Sequence, residues 1–103
     1  MATVFFFYFL RDAADAAEFE RTVVNDVLPD ALAHPTVLDW KLHRAVDWPG
    51  ASAEYADYVC VVPVSDLAVW SQDASESIAK THGALAGLVK HIAMTPAVEV
   101  GAD

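Results

Sequence analysis

HPTVLDWKLHR, the stretch from His34 to Arg44, begins with a histidine and a proline that end a helical pattern. Beyond the proline, apolar and polar side chains alternate, with Leu38, Trp40 and Leu42 set against Asp39, Lys41 and His43. Strict alternation predicts a β-strand with two unlike faces, because successive side chains of a strand point to opposite sides. The polar face carries a carboxylate, an amine and an imidazole. It is either a solvated surface or the floor of a site.

The composition indicates more apolar surface than a small domain buries by itself. The length of 103 residues predicts a single domain, residues 1–103. A domain of this size buries only about two thirds of its unfolded surface, yet 55% of the residues are hydrophobic. The surplus predicts a second buried face, most simply that of a homodimer.

The net charge of the protein limits the kinds of molecule that it is expected to bind. Fifteen acidic and six basic residues give a net charge of -9. An acidic surface repels nucleic acid and anionic membranes, so we predict that neither of them is a partner. The expected partner is a small ligand that is neutral or weakly cationic. The single cysteine, Cys60, excludes a disulfide framework and is typical of a reducing compartment. The sequence has no Cys and His spacing of a zinc site, so we expect no metal.

The apolar run from Ala2 to Leu10 lacks the features of an export signal. Neither Lys nor Arg precedes it, no small-residue cleavage pattern follows it, and it is too short to span a bilayer. Its aromatic residues favour a strand, and its apolar side chains on both faces are typical of a central strand covered on both sides. We therefore expect a buried strand in a cytoplasmic protein.

The patterns predict four strands and two helical regions. The strands are expected at Thr3–Leu10, Thr36–Val46, Tyr55–Val64 and Lys90–Val100. Pro96 places the last of them at an edge or a bend, because proline cannot donate to a ladder.

The first helical region begins with a predicted capping box, Asp15-Ala-Ala-Glu18. Phe19, Val23 and Val27 then recur at the spacing of one helix face. Pro29 predicts a kink or a new short turn, because its ring clashes with the carbonyl four residues back.

The second helical region is expected to begin at a cap, Ser65 or Asp66, with a short helix from Leu67 to Gln72 that restarts near Ser75 or Ser77. Further on, a helical stripe is formed by Ile78, His82, Leu85 and Val89. Gly83 and Gly87 weaken helical structure, so the helix is predicted to stop between His82 and Ala86.

The resulting order, β-α-β-β-α-β, predicts an α+β fold of the ferredoxin-like type. That plan has an antiparallel four-stranded sheet with both helices on one face. Phe5, Phe7 and Phe9 would leave the other face apolar as well. Two such sheets stacked face to face would bury it, which predicts a dimeric α/β barrel.

With this order of elements, the whole chain resembles the dimeric α/β-barrel superfamily, which includes antibiotic-biosynthesis monooxygenases, polyketide cyclases, muconolactone isomerases and EthD-like proteins. Tyr55-Ala-Asp-Tyr-Val-Cys-Val-Val-Pro-Val-Ser-Asp-Leu67 is similar to a segment of RedY-like proteins. So are His82-Gly-Ala-Leu-Ala-Gly-Leu-Val89 and Thr95-Pro-Ala-Val-Glu-Val100. RedY-like proteins are cofactor-free and belong to pathways to prodiginine and bisindole pigments. The resemblance implies a ligand held between the sheet and the helices.

Three residues are candidates for acid/base catalysis, namely His82, His43 and Asp39. His82 lies on an apolar helical stripe, so it is either a core histidine bonded to a carbonyl or a proton-transfer group aimed into a cleft. His43 and Asp39 lie four residues apart on one strand face, about 13 Å, too far to bond to each other. They either belong to a solvated edge strand or anchor a ligand.

Five further residues are candidates for binding the substrate. Tyr8, Trp40, Tyr58 and Trp70 are either core residues or flat walls for a flat aromatic ligand, each with a hydrogen-bonding group. His34 closes the first helical region, where an imidazole interacts well with the helix dipole, and it is the fifth candidate.

Three functions are compatible with these residues. The first is a cofactor-independent enzyme, a dehydratase, cyclase or isomerase, that acts on an indole- or pyrrole-like aromatic intermediate by histidine acid/base chemistry. The sequence has no P-loop or dinucleotide motif, so the chemistry would come from side chains and no cofactor is expected. The alternatives are a cofactor-free monooxygenase of the antibiotic-biosynthesis type and a non-catalytic binder of a reactive intermediate.

Overall fold

Four antiparallel strands form one sheet in the order β2-β3-β1-β4. They are β1 (Ala2–Leu10), β2 (Lys41–Arg44), β3 (Tyr58–Val64) and β4 (Val89–Ala97). The computed structural model of the protein describes residues 1–52 and 54–101. The predicted ferredoxin-like α+β architecture is confirmed, because this sheet has its helices in the expected places in the chain.

β1 is a central strand, as its two apolar faces predicted. It pairs with β3 on one side and with β4 on the other. Its even-numbered side chains, among them Phe6 and Tyr8, are buried in the core, whereas the odd-numbered ones are only half-buried. The two faces therefore have different roles: one contacts the helices and the other remains partly open.

The first helical region packs on the sheet as three consecutive segments. α1 (Ala16–Thr22) leads into a π-helical turn (Val23–Val27), which leads into α2 (Leu28–Leu32). The predicted face of Phe19, Val23 and Val27 is buried. A kink or new short turn was predicted from Leu28 to Ala33, but the irregularity lies one turn earlier: it is the π turn, in which the Leu28 N–H donates to the Val23 carbonyl five residues back. The prediction of a capping box was wrong: Asp15 makes no side-chain cap, and Asp12 accepts from the Ala14 N–H instead.

β2 is much shorter than the predicted span from Thr36 to Val46. Only Lys41–Arg44 pairs continuously with β3, while Val37 makes an isolated bridge to Val64. The register changes by one residue between these two pairings, from Val37 opposite Val64 to Lys41 opposite Val61, so the ladder is interrupted at Asp39 and Trp40. There Asp39 bonds locally, and its carboxylate accepts from the Trp40 N–H at 2.8 Å. β3 is also shorter than predicted, beginning at Tyr58 rather than Tyr55.

The second helical region is one helix, α3 (Leu67–Leu85), rather than two short pieces. It continues through Gly83, and Trp70, Ala74 and Leu85 are buried against the rest of the protein. Val89 was wrongly placed on the helical stripe, since it begins β4. Pro96 lies on the edge strand β4, as expected from its missing donor.

The cap of α3 provides a test of local stability. The Asp66 carboxylate accepts from the Val69 N–H at 3.0 Å, which confirms one of the two predicted caps. Asp66→Ala should lower the free energy of unfolding by about 1 kcal/mol in urea titrations. Asp73→Ala, which changes an exposed carboxylate in the middle of α3, is the control. Equal losses in the two variants would contradict a capping role.

Candidate functional site

A cleft lies between the sheet, α3 and the end of α2. It contains about 470 Å³ of empty space, including its mouth, which opens to solvent. Its walls are mostly apolar, as is typical of small-molecule sites. The sheet contributes Phe6, Tyr8 and Val62 to the walls, and Trp40 lines it from the segment before β2. Its position on the helix-covered face agrees with the location that the resemblance implied for a ligand.

α3 lines the cleft with one face of the helix. The residues that reach it are Trp70, Ala74, Ser77, Ile78, Thr81 and His82. Spacings of three and four residues place such side chains on one side of a helix. The stripe changes in character along the helix, from an indole at its first residue to hydroxyl and imidazole groups towards its end.

His82 lines the cleft and is half-buried. Its Nε2 atom is buried and has no hydrogen-bond partner within the described ranges, 1–52 and 54–101. An unpaired buried polar atom costs about 1 to 3 kcal/mol, so nitrogen atoms in this position are normally satisfied by protein, water or a ligand. A purely structural core histidine was expected to bond to a carbonyl group. Among the described residues, no carbonyl group bonds to His82 Nε2.

His34 lies at the mouth of the same cleft, directly after α2. Its Nε2 is 2.9 Å from the Ser77 hydroxyl oxygen on α3. The backbone holds the residue in place, because its N–H donates to the Ala31 carbonyl and its own carbonyl accepts from Val37. Next to this contact, Lys80 pairs with Asp30 at 3.3 Å. Two polar contacts, His34–Ser77 and Asp30–Lys80, thus connect the region of α2 to α3 at the mouth of the cleft.

Three of the four predicted aromatic residues line the cleft: Tyr8, Trp40 and Trp70. Tyr8 and Trp70 are nearly fully buried, and the Trp70 ring packs edge-on against Phe6. Burial, with a smaller contribution from Cys60, raises the pKa of the Tyr8 phenol well above its ordinary value. The phenol is therefore neutral at physiological pH and available as a hydrogen-bond donor.

The structure places His43 and Asp39 away from this cleft. His43 pairs in register with Val59, which in turn lies opposite Phe7, so its side chain belongs to the sheet face that the helices do not cover. Asp39 is exposed and lies 3.6 Å from Lys41. The three predicted acid/base candidates are thus divided between the two sides of the sheet, and His82 is the one that lines the cleft.

Tyr58 belongs to a polar cluster outside the cleft. Its hydroxyl donates to Glu20 Oε2 at 2.5 Å, and Arg44 binds both oxygens of the same carboxylate at 2.6 and 2.9 Å. Burial, reinforced by the carboxylate, raises the pKa of Tyr58, so the phenol keeps its proton. Its ring packs against Phe19 at 4.5 Å between centroids.

This cluster predicts how stability depends on pH. The hydrogen bonds from Arg44 and then Tyr58 hold the pKa of Glu20 below its ordinary value of 4.5. A carboxylate with a lowered pKa stabilises the fold above its unfolded-state pKa and loses that effect as the pH falls through its folded-state pKa. The difference in unfolding free energy between wild type and Glu20→Gln should therefore be positive at pH 7 and shrink below about pH 4.5.

Urea titrations from pH 7 to pH 3 measure this difference. Glu18→Gln is the matched control, since Glu18 lies on the same helix and only approaches Arg21, at 3.8 Å. A difference between wild type and Glu20→Gln that stays constant over the whole range would show that the carboxylate charge is not involved.

Sequence reasoning missed Ser77, Thr81 and Asp30 as lining residues. Ser77 was considered only as a place where the helix might restart. A continuous stripe counted from Trp70 would have included both hydroxyl residues, but the restart predicted at Ser75 or Ser77 divided the helix at this point. Cys60 is buried, and burial raises the pKa of its thiol, so it is unsuited to be a nucleophile.

Over the described residues, no group of three or more potential ligands could hold a metal ion, and no helix is long and apolar enough to cross a membrane.

Comparisons with known proteins show the family to which the chain belongs. The model of a family described as REDY-like protein HapK matches residues 2–96. No curated protein matches the sequence. Among solved structures, HapK from Hahella chejuensis is 26% identical, with a TM-score of 0.77 and coverage of 100% of this chain and 96% of that one.

Two further structures share the fold at lower identity. An EthD family protein from Bacillus halodurans is 20% identical with a TM-score of 0.72, covering 97% of this chain and 99% of that chain. A protein from Thermobifida fusca, described as a dimeric ferredoxin-like protein of unknown function, is 10% identical. Its TM-score is 0.69, with coverage of 95% of this chain and 90% of that chain.

Proposed function

Since the chain belongs to the family of REDY-like protein HapK, we propose that it is a cofactor-independent enzyme of secondary metabolism. The reaction would be a dehydration, cyclisation or isomerisation of an aromatic, indole- or pyrrole-like intermediate. All three reactions move protons without net oxidation, so side chains can supply the chemistry.

The observation that carries the proposal is His82 Nε2, a buried atom of an aromatic cleft that has no partner among residues 1–52 and 54–101. Imidazole exchanges protons near neutral pH, which makes histidine the most frequent general acid or base. In this position, Nε2 would take a proton from a bound ligand or give one to it. The apolar walls would exclude water and strengthen the interaction between the imidazole and the charge that develops on the ligand.

The aromatic side chains would supply binding rather than chemistry. Trp40, Trp70 and Tyr8 offer flat apolar surfaces against which a planar ligand can pack. The neutral Tyr8 phenol adds a hydrogen-bonding group at the sheet wall. His43 and Asp39 stay in the proposal only as secondary candidates, because a role for them requires a ligand on the opposite sheet face.

An assay of purified protein with candidate indole and pyrrole intermediates tests the proposal. Product should form, as measured by liquid chromatography and mass spectrometry, in buffer with chelator and without added cofactor. A requirement for flavin, haem or metal would contradict it.

Two other functions make different predictions in the same assay. A cofactor-free monooxygenase would consume oxygen in proportion to product, whereas the proposed reactions would not. A binder of a reactive intermediate would return its ligand unchanged, and histidine replacements would leave its affinity intact.

We also propose that the protein is a homodimer formed through the sheet face opposite the helices. Phe5, Phe7 and Phe9 project from β1 on this face, with Val59 and Val61 beside them on β3. A continuous apolar surface of this kind is uncommon on soluble monomers. The Thermobifida fusca structure of the same fold is described as dimeric, which is consistent with the proposal.

The remaining parts of the proposal follow from composition. The net charge of -9 argues against nucleic acid and membrane partners. The single, buried cysteine is consistent with a cytoplasmic location.

A further inference from the structure

The inner part of the cleft is closed to solvent. Tyr8, Trp70 and Ala74 line it, yet the most exposed of the three, Trp70, is only 6% exposed. The Trp70 ring is also in edge-on contact with the Phe6 ring, at 6.3 Å between the ring centroids. An organic molecule larger than water therefore reaches these walls only when part of the boundary of the cleft moves.

One part of this boundary has little anchoring in the core. Residues 28–35, here called the flap, contain α2 and the turn that follows it. Asp30, Ala31 and His34 line the cleft from the flap. Each residue of the flap is half-buried or exposed, and Leu32 is 51% exposed. Segments that bury little apolar surface open at a smaller cost in free energy than the core around them.

The flap lies between two fixed points. Val27, the last residue of the π-helical turn, is buried in the core. Thr36 is buried at the other end, and its carbonyl accepts from the Ser65 N–H at 2.9 Å. The Ala33 N–H donates to the Pro29 carbonyl, so this backbone bond stays inside the flap. The flap is therefore built to move as one unit between its two anchors.

Two polar contacts hold the flap against α3. His34 Nε2 lies 2.9 Å from the Ser77 hydroxyl oxygen, and Lys80 Nζ lies 3.3 Å from Asp30 Oδ2. Both side chains of the ion pair are exposed, so water competes with it and its contribution is small. Contacts of this strength keep a segment closed for most of the time and still allow it to open.

A second groove, more open to solvent, lies on the outer side of these contacts. All four contacting residues line it, and Asp30, His34 and Ser77 line the cleft as well. The outer groove and the cleft are therefore neighbours, and the contact between His34 and Ser77 lies where they meet.

We propose that the flap controls access to the cleft. The His34–Ser77 and Asp30–Lys80 contacts hold it closed, and a small organic ligand enters between α2 and α3 when both contacts break. The inference concerns access alone, so it applies whatever reaction takes place in the cleft.

A cysteine placed on the inner wall measures how often the flap opens. Ala74→Cys puts a thiol on the closed part of the cleft, where methyl methanethiosulfonate, a small neutral reagent, converts it to a mixed disulfide. The native Cys60 is fully buried in the core and serves as the internal reference for global unfolding. Mass spectrometry of peptides follows both thiols in one sample. The thiol at position 74 should react at least about tenfold faster than Cys60, because local opening is more frequent than global unfolding.

Variants of the two contacts connect this rate to the flap. Ser77→Ala and Lys80→Gln should each raise the labelling rate at position 74 by about twofold to fivefold and leave the rate of Cys60 unchanged. Lys80 is not among the described residues that line the cleft, so Lys80→Gln breaks a contact without widening the cleft. Arg21→Gln is the matched control, because it removes an exposed contact to Glu18 on α1. It should change neither rate.

Two outcomes would overturn the inference. If the thiol at position 74 reacted as slowly as Cys60 in every variant, the cleft would open only on global unfolding. If Arg21→Gln accelerated labelling as much as Lys80→Gln, the effect would not belong to the flap. Should Ala74→Cys fail to fold, Ile78→Cys on the same wall of the cleft serves as the reporter. Because labelling needs no substrate, failure of the proposed enzymatic function would leave this test unaffected.

Discussion

Replacing His82 with glutamine is expected to lower turnover by about 10² to 10⁴-fold while the fold stays intact. Glutamine has a similar size and keeps a hydrogen-bonding group, but it cannot transfer a proton near neutral pH. The loss should therefore appear in kcat, while the affinity for indole changes little. Thermal unfolding followed by circular dichroism should show an unchanged fold.

Two other histidine variants make this experiment specific. His91→Gln changes an exposed imidazole on β4, outside the cleft and next to Phe9 on the open sheet face, and is the control for the loss of an imidazole as such, provided that its oligomeric state matches wild type. His43→Gln tests the alternative acid/base residue on the other sheet face. If His82→Gln retained full activity, His82 would be a structural residue. Loss of activity in His43→Gln would then move the catalytic role to the opposite face of the sheet.

Replacing Phe7 with lysine is expected to convert the proposed homodimer into a folded monomer. Phe7 lies on the central strand, between Val59 of β3 and Ala93 of β4, on the face that the helices leave open. An unpaired ammonium group at the centre of an apolar interface loses its hydration without compensation. The dimer dissociation constant should rise on the order of 100-fold or more.

Sedimentation equilibrium over a range of micromolar concentrations measures this effect. Val24→Lys is the control, since Val24 is an exposed apolar side chain on the helical layer, away from the open sheet face. A wild-type monomer would contradict the dimer proposal directly. Loss of the folded state in Phe7→Lys would show that Phe7 contributes to the core of the monomer.

Much of the fold could be predicted from local patterns in the sequence. The run from Phe5 to Phe9 is apolar at every position, a pattern that is typical of a central strand, and β1 has that place in the sheet. Phe19, Val23 and Val27 recur at the spacing of a helix face, so their burial followed from periodicity alone. The order of the elements then left the ferredoxin-like plan as the natural arrangement.

The extents of two elements depended on contacts that local patterns do not contain. α3 ends at Leu85, within the predicted range, but it runs unbroken past Ser75 and Ser77, where a restart was predicted, because Trp70, Ala74 and Leu85 are buried along one helix. β2 is short because its register against β3 changes by one residue between Val37 and Lys41, which interrupts the ladder. Alternation of side chains did not reveal this change, because register depends on the partner strand.

The site shows the same division between sequence and tertiary structure. The sequence by itself singled out His82 and three of the aromatic residues that line the cleft, Tyr8, Trp40 and Trp70, whereas Tyr58 lies outside it. A polar residue on an apolar helical stripe is visible in the spacing. Alternation showed that His43 and Leu42 face opposite ways, but only the tertiary structure decided that the helices cover the side of Leu42. The contact between His34 and Ser77 joins residues 43 apart in the chain. Such a contact arises only when α2 and α3 pack side by side on one sheet, and no local pattern records which helices become neighbours.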